Sequence, residues 1–264
     1  MIRSVPRRMA LLALLLGLVH QASAAPDLIA LTDDGRLLRF PPDRPADSTR
    51  VAMDGADSLI GLDLRPSDGR IYAVSSGNDV YVLDLDVGSA RLVSTLTVPF
   101  EGEQRSGVDF NPQADRLRLV GGSGQNLRAN VELGATATDG PLAYVAGDPN
   151  TGHRPAIAAA AYTSNRPGAA TTRLLEIDAD RDVLVLQDPP NDGGLVTVGP
   201  LGVDVGPMAG FDVVTDAGGQ DRGWVASGSM LYGIDLATGA ASPIGRIGPD
   251  PGVRIVGLTA VALP

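Results

Sequence analysis

Residues 61–88 read GLDLRPSDGRIYAVSSGNDVYVLDLDVG. The stretch opens on a short apolar run, Gly61 to Leu64, and turns at Asp68-Gly69, a dipeptide suited to positive φ. It continues through Ile71 to Val74 and Val80 to Leu83, β-branched or aromatic runs separated by Ser75 to Asp79. At its end Asp84 can cap its own turn while Gly88 takes the left-handed position. A further run, Arg91 to Leu96, follows. Apolar residues show no sustained 3.6-residue period, so the stretch predicts four short antiparallel strands rather than a helix.

The same unit recurs along the chain. Gly61-Leu62-Asp63-Leu64 is matched by Gly107-Val108-Asp109-Phe110 and Gly210-Phe211-Asp212-Val213, and more weakly by Gly257-Leu258-Thr259-Ala260. Ala159-Ala160-Ala161-Tyr162 is a degenerate copy, which makes the successive spacings 46, 52, 51 and 47 residues. A second landmark keeps step: Asp84 to Gly88, Asn130 to Gly134 and Asp235 to Gly239 begin 23, 23 and 25 residues after their anchors. Two landmarks at a nearly constant offset mark a genuine structural repeat.

Four strands in about fifty residues, repeated, is the pattern of a β-propeller blade. The chain length accommodates five. Leu28 to Thr32 and Leu37 to Phe40 lack a first strand, whereas Val256 to Val261 is a first strand with nothing after it. Pairing the two ends completes one blade and closes the ring. The expectation is an all-β, single-domain propeller of five four-stranded blades over residues 25–264. The fourth unit is irregular. Its strands Leu174 to Ile177, Val183 to Leu186 and Leu195 to Val198 are clear, but its turn landmark is displaced.

Several segments resemble a known family. They are GVDFNPQADRLRLVGGSGQNLR (107–128), LLEIDADRDVLVLQDPPNDGGLVTVGPLG (174–202), LIALTDDGRLLRF near the start and LYGIDLATGAASPIG near the end. Together they are similar to the bacterial domain-of-unknown-function family 4394, over roughly Asp27 to Val261. The resemblance implies an exported, propeller-like domain and no particular reaction. Two positions depart from the family pattern: Ala159 stands where glycine is usual, and Arg105-Ser106 where the family tends to be apolar.

Met1 to Ala24 reads as a cleaved signal peptide, with Arg3, Arg7 and Arg8 before an apolar run from Met9 to Val19 and small residues at Ala22-Ser23-Ala24. Eleven apolar residues are too few to span a bilayer. Arg7-Arg8 raises twin-arginine export, but the leucine-rich core suits the general secretory route better. The mature chain is therefore expected in the periplasm or outside the cell, with no membrane span. Removing three arginines takes the formal charge from −10 to −13.

Composition excludes several chemistries. There is no cysteine, so disulfides, thiolate metal sites and cysteine nucleophiles are ruled out. All 21 basic residues are arginine, so neither a Schiff-base lysine nor a phosphate-loop lysine exists. The acidic balance disfavours nucleic acid. Without the signal, His153 is the single histidine, and neither a multi-histidine zinc site nor a Gly-x-Ser-x-Gly elbow can be built. Gly121 to Gly124 reads as a strand connection and Asp188 to Gly193 as an exposed turn. Tyr72, Tyr81, Tyr162 and Tyr232 read as blade-packing residues.

Two groups remain as candidates. Asp63, Asp109 and Asp212 share one repeat position on the strand expected to line the channel. Recurrence points first to service of the repeat, each carboxylate accepting backbone hydrogen bonds from a neighbouring blade. Convergence around a hard cation such as Ca2+ is a second reading, and a carboxylate base with raised pKa a third. Gln125, Asn126 and Arg128 form the other group, a polar surface for sugar or peptide, or else a turn in which Arg128 pairs with Glu132 or Asp115. No catalytic residue is assigned. The expected function is a non-catalytic module binding an extracytoplasmic ligand or protein. The alternatives are a Ca2+-dependent hydrolase, lactonase or lyase using the channel carboxylates, and a purely structural spacer.

Overall fold

The computed structural model describes residues 26–261; the expected signal peptide and its cleavage point lie outside them. Five antiparallel sheets stand in a ring, each built from consecutive strands apart from the one that closes it. Blade 1 comprises Leu59–Arg65, Arg70–Ser75, Asp79–Asp84 and Ser89–Thr95. Blade 2 comprises Ser106–Asn111, Arg116–Gly121, Asn126–Ala129 and Thr136–Thr138. Blade 3 comprises Ile157–Tyr162, Leu174–Asp178, Val183–Gln187 and Gly194–Pro200. Blade 4 comprises Ala209–Thr215, Asp221–Ser227, Met230–Ile234 and Ala241–Arg246. Blade 5 takes its inner strand, Ile255–Val261, from the end of the chain and Asp27–Thr32, Leu37–Phe40 and Thr49–Val51 from its start. Asp27–Thr32 pairs antiparallel with Ile255–Val261, which is the expected closure.

The irregular repeat has a structural cause. Between blades 2 and 3 the chain adds Ala143–Tyr144 in parallel to the outer strand of blade 3, giving that sheet a fifth strand. The turn before that outer strand, Asp188 to Gly193, packs on this strap, and a side chain at Gly193 (φ +75°) would overlap the Gly140 and Pro141 carbonyls. It therefore does the work of the displaced landmark.

The regular landmarks act in the same way. Asp84 Oδ1 accepts from the Asp86 and Val87 N–H groups, and Gly88 N donates to Asp84 O at 2.9 Å with Gly88 at φ +70°. Asn130 and Asp235 repeat this turn. A Cβ on Gly88 would sit 2.8 Å from the Ala52 carbonyl oxygen of blade 5. Glycine is thus required both by φ and by the close approach of the preceding blade's outer edge.

Five apolar clusters fill the five gaps between adjacent blades, so the core is a ring of interfaces rather than one central mass. Tyr72 and Phe110 meet edge-on, with centroids 5.5 Å apart, across the gap between blades 1 and 2. Among the described residues no helix is long and apolar enough to cross a membrane.

Candidate functional site

The inner strands pack around the axis through their small residues. A Cβ on Gly107 would overlap that of Ala160 and lie 2.6 Å from the Ala160 nitrogen. The space left on the axis at this level, lined by Gly61, Gly107, Ala159, Gly210 and Gly257 among others, is about 10 Å3, room for one water-sized sphere.

One further step along each inner strand lies the ring position Asp63, Asp109, Ala161, Asp212 and Thr259. Asp63 Oδ2 accepts from Phe110 N of blade 2 at 2.8 Å, and Asp109 Oδ1 from Tyr162 N of blade 3 at 2.9 Å. Asp212 Oδ2 accepts from Ala260 N of blade 5 at 2.6 Å. Thr259 accepts from Leu64 N of blade 1 at 3.0 Å and donates to Asp63 Oδ1 at 2.9 Å. At each of these places the side chain caps the N–H that follows the ring position in the next blade. Ala161 has no acceptor to offer, and Val213 N turns instead to Asp212 Oδ1 at 2.6 Å.

The three carboxylates also converge: each offers an oxygen, and these atoms all lie within 4.8 Å of one another in a fully buried setting. Service to the repeat and convergence on the axis thus coexist. Burial pushes Asp63 up to about 7 and Asp109 and Asp212 well above the usual carboxylate range, the latter two also through repulsion from neighbouring carboxylates. Among the described residues five of the six oxygens already accept a hydrogen bond; Asp109 Oδ2 is the exception.

The second predicted group is drawn into the blade 2–3 boundary. Asn126 is buried; its Oδ1 accepts from Arg118 at 2.6 Å and its Nδ2 donates to the Gly140 and Pro190 carbonyls. Gln125 ties down the neighbouring loop, donating to Pro99 O and accepting from Glu101 N, both at 2.8 Å. Arg128 pairs with Asp139 at 2.9 Å and not with Glu132 or Asp115, which both bind Arg65 of blade 1. The reason is register. Arg128 is paired with Arg118, so both guanidinium groups share the face toward blade 3, where the exit segment places Asp139.

Sequence reasoning missed the most unusual buried group in this boundary. Glu176 lies mid-strand in blade 3, is 0% exposed, and among the described residues has no hydrogen bond to either oxygen. Burial pushes it up to about 8 despite the nearby Arg118. The one signal was an acid inside the apolar run Leu174-Leu175-Glu176-Ile177.

At the end of the ring where the inner strands begin, the loops entering blades 2, 3 and 4 enclose a cleft of about 450 Å3. Its charged lining comprises Glu101, Glu103, Arg105, Arg154 and Asp180, with Gly122 and Ser123 between the arginines and no aromatic residue. A second cleft of about 420 Å3 shares Glu103 and extends toward Asp33 and Ser58. The larger groove, about 710 Å3, lies on the opposite rim beside Val261, where the described chain ends.

The profile of the family described as "Domain of unknown function (DUF4394)" matches residues 36–259, nearly the whole propeller. The chain belongs to the DUF4394 family. A comparison with curated proteins gives no match. Among solved structures, a chain of the nidogen/laminin complex is similar at 12% identity and TM-score 0.55, over 90% of this chain and 98% of that one. A protein of unknown function from Bacteroides thetaiotaomicron VPI-5482 is similar at 17% identity and TM-score 0.53, over 86% of this chain and 57% of that one. This DUF4394 chain therefore spans little more than half of that second protein. An auxiliary nutrient binding protein from the same bacterium aligns at 14% identity and TM-score 0.45, over 75% of this chain and 56% of that one. These likenesses, where they reach a TM-score of 0.5, show the fold of this DUF4394 member and nothing of its ligand.

Proposed function

We propose that this DUF4394 propeller is a non-catalytic binding module, exported from the cytoplasm, that offers the cleft at the entrance of blades 2 to 4 to a small ligand or a partner. One contrast carries the reading. The axial carboxylates are spent on backbone N–H groups of adjacent blades, whereas the charged side chains of the cleft stand on anchored loops and form no ion pair among the described residues. A rigid ring with unengaged charges at its mouth supports recognition. The buried axial carboxylates, with about 10 Å3 beside them, are out of reach of a substrate in the cleft. The test is a ligand panel followed by thermal shift, run beside a hydrolase and lyase substrate panel. Ligand-dependent stabilisation without turnover supports the module. Turnover that disappears in a folded Asp109→Asn variant refutes it.

A second reading has one specific observation in its favour, the approach of three carboxylate oxygens within 4.8 Å. Asp63, Asp109 and Asp212 would then hold Ca2+ and serve a metal-dependent hydrolase, lactonase or lyase. Ca2+ takes six to eight oxygens, and five of these six already accept hydrogen bonds, so shared protons suit the site better than a cation. Metal analysis and melting with and without Ca2+ separate the two. A bound divalent ion with a raised melting temperature favours the cation; neither of these favours the protons.

A further inference from the structure

We infer that the cleft at the entrance of blades 2 to 4 recognises a carboxylate, with Arg105 and Arg154 as its two jaws, on a small ligand that also carries hydroxyl or ammonium donors. The inference rests on the binding-module reading and names the chemistry of the same site.

Among the described residues eight arginines, from Arg36 to Arg254, form ion pairs, and Arg105 and Arg154 are among the ten that form none. Both guanidinium groups are exposed and line one cleft, beside the carboxylates of Glu101, Glu103 and Asp180, so the site offers both signs of charge to one ligand.

Both arginines are fixed at their backbones or side chains by one turn. Gly122 N donates to the Arg105 carbonyl at 3.1 Å, and Arg154 Nη2 donates to the Ser123 carbonyl at 3.0 Å. The Gly122-Ser123 turn is therefore clamped between the two residues. A Cβ at Gly122 would already contact the Arg105 Cβ at 3.8 Å and the Ile157 carbonyl at 3.9 Å. Arg154 spends one donor on this clamp, and each guanidinium starts with five, so both keep the paired N–H groups that match a carboxylate.

The loop Glu101 to Arg105 is anchored along its length. Gln125 holds its start, Ser106 Oγ donates to Glu103 O at 3.0 Å, and Gln104 Nε2 donates to Asp33 O at 2.6 Å. Glu103 is kept at φ +48°, a left-handed conformation that costs a non-glycine residue energy and that this anchoring maintains. Glu101, Glu103 and Asp180 supply acceptors for the hydroxyl or ammonium groups of the ligand. With no aromatic lining there is no platform on which a neutral sugar ring could stack. Recognition falls to charge-assisted hydrogen bonds, so affinity must fall with salt.

The experiment titrates the full chain by calorimetry with D-glucuronate, L-glutamate and D-glucose, at low salt and in 0.5 M NaCl. Binding of glucuronate or glutamate, weakened by salt and by about tenfold or more in each of Arg105→Ala and Arg154→Ala, is the expected result. Which probe binds separates a sugar acid from an amino acid. Melting curves of the variants confirm that they remain folded. Glucose binding alone, or carboxylate binding indifferent to both variants, overturns the carboxylate assignment while leaving the module intact. Binding of no probe, in a chain that a wider ligand panel does stabilise, also overturns it. Turnover of a probe would instead overturn the module.

Discussion

Replacing Glu176 by glutamine should make the protein more stable at pH 8 than the wild type while leaving it close to the wild type at pH 5. Glu176 is fully buried with both oxygens unpaired among the described residues, and its charged neighbours are Arg118, which favours ionisation, and Asp178, which opposes it. Burial dominates and raises the carboxyl from 4.5 to about 8. A raised acid keeps its full contribution below its unfolded value, near 4.5, and loses it as pH rises through the folded value, near 8. Each pH unit across that window is worth about 1.4 kcal/mol. The wild type should therefore lose on the order of 3 kcal/mol at this site between pH 5 and pH 8. Glutamine has the same shape and no titration, so the stability of Glu176→Gln relative to wild type should rise by that amount. The axial carboxylates titrate in both proteins and cancel in the difference. The assay is urea unfolding at the two pH values, followed by the fluorescence of Trp224, the single tryptophan, which is buried between blades 4 and 5. A difference that stays constant with pH would show that Glu176 is ionised in the folded state against Arg118, and the reasoning would fail.

Gly107→Ala should cost about 3 kcal/mol or more, because its Cβ meets the Ala160 backbone as well as its side chain. Gly77→Ala, whose Cβ would have 3.5 Å to its nearest neighbour, should stay within about 1 kcal/mol in the same melting series. Ala161→Asp supplies the missing ring acceptor but adds a fourth buried carboxyl. Its penalty should be larger at pH 8 than at pH 5 by about 2 kcal/mol, read by urea unfolding. Arg65→Ala removes the clip that holds Asp115 at 2.6 Å and Glu132 at 3.0 Å between blades 1 and 2, and should cost about 1 to 2 kcal/mol at pH 7, the acids being partly solvated. Arg65→Lys should recover less than half, since the two-pronged bond to Asp115 needs the planar fork. Because Arg65 holds Asp115 below its ordinary value, the gap between Arg65→Ala and wild type should shrink as pH falls below 3.8.

Much of the architecture was legible because each landmark does a local job. Asp84, Asn130 and Asp235 cap turns within four residues of themselves, and Gly88, Gly134 and Gly239 are required by their own φ. Such residues announce themselves by type and spacing. The anchors Gly61, Gly107 and Gly210 were legible as a period, although the neighbour that demands each glycine is some fifty residues away. The partner of Arg128 was read wrongly for the opposite reason. Asp139 lies on a connecting segment whose path depends on the strap over blade 3, and nothing in the local pattern marks it.

From the sequence alone came the repeat, the number of blades, the closure of the ring by its two ends and the exclusion of cysteine, lysine and multi-histidine chemistry. These depend on composition and on short-range periodicity, which a chain carries without folding. The tertiary structure decided what the surviving polar residues do. It set Asp63, Asp109 and Asp212 both against backbone N–H groups and against one another, and it sealed Glu176 away from any partner. It also left Arg105 and Arg154, from loops nearly fifty residues apart, facing one cleft. Hydrogen-bond partners, burial and charge proximity are properties of distance in space, and in a ring of blades the nearest groups to a side chain belong to the next repeat.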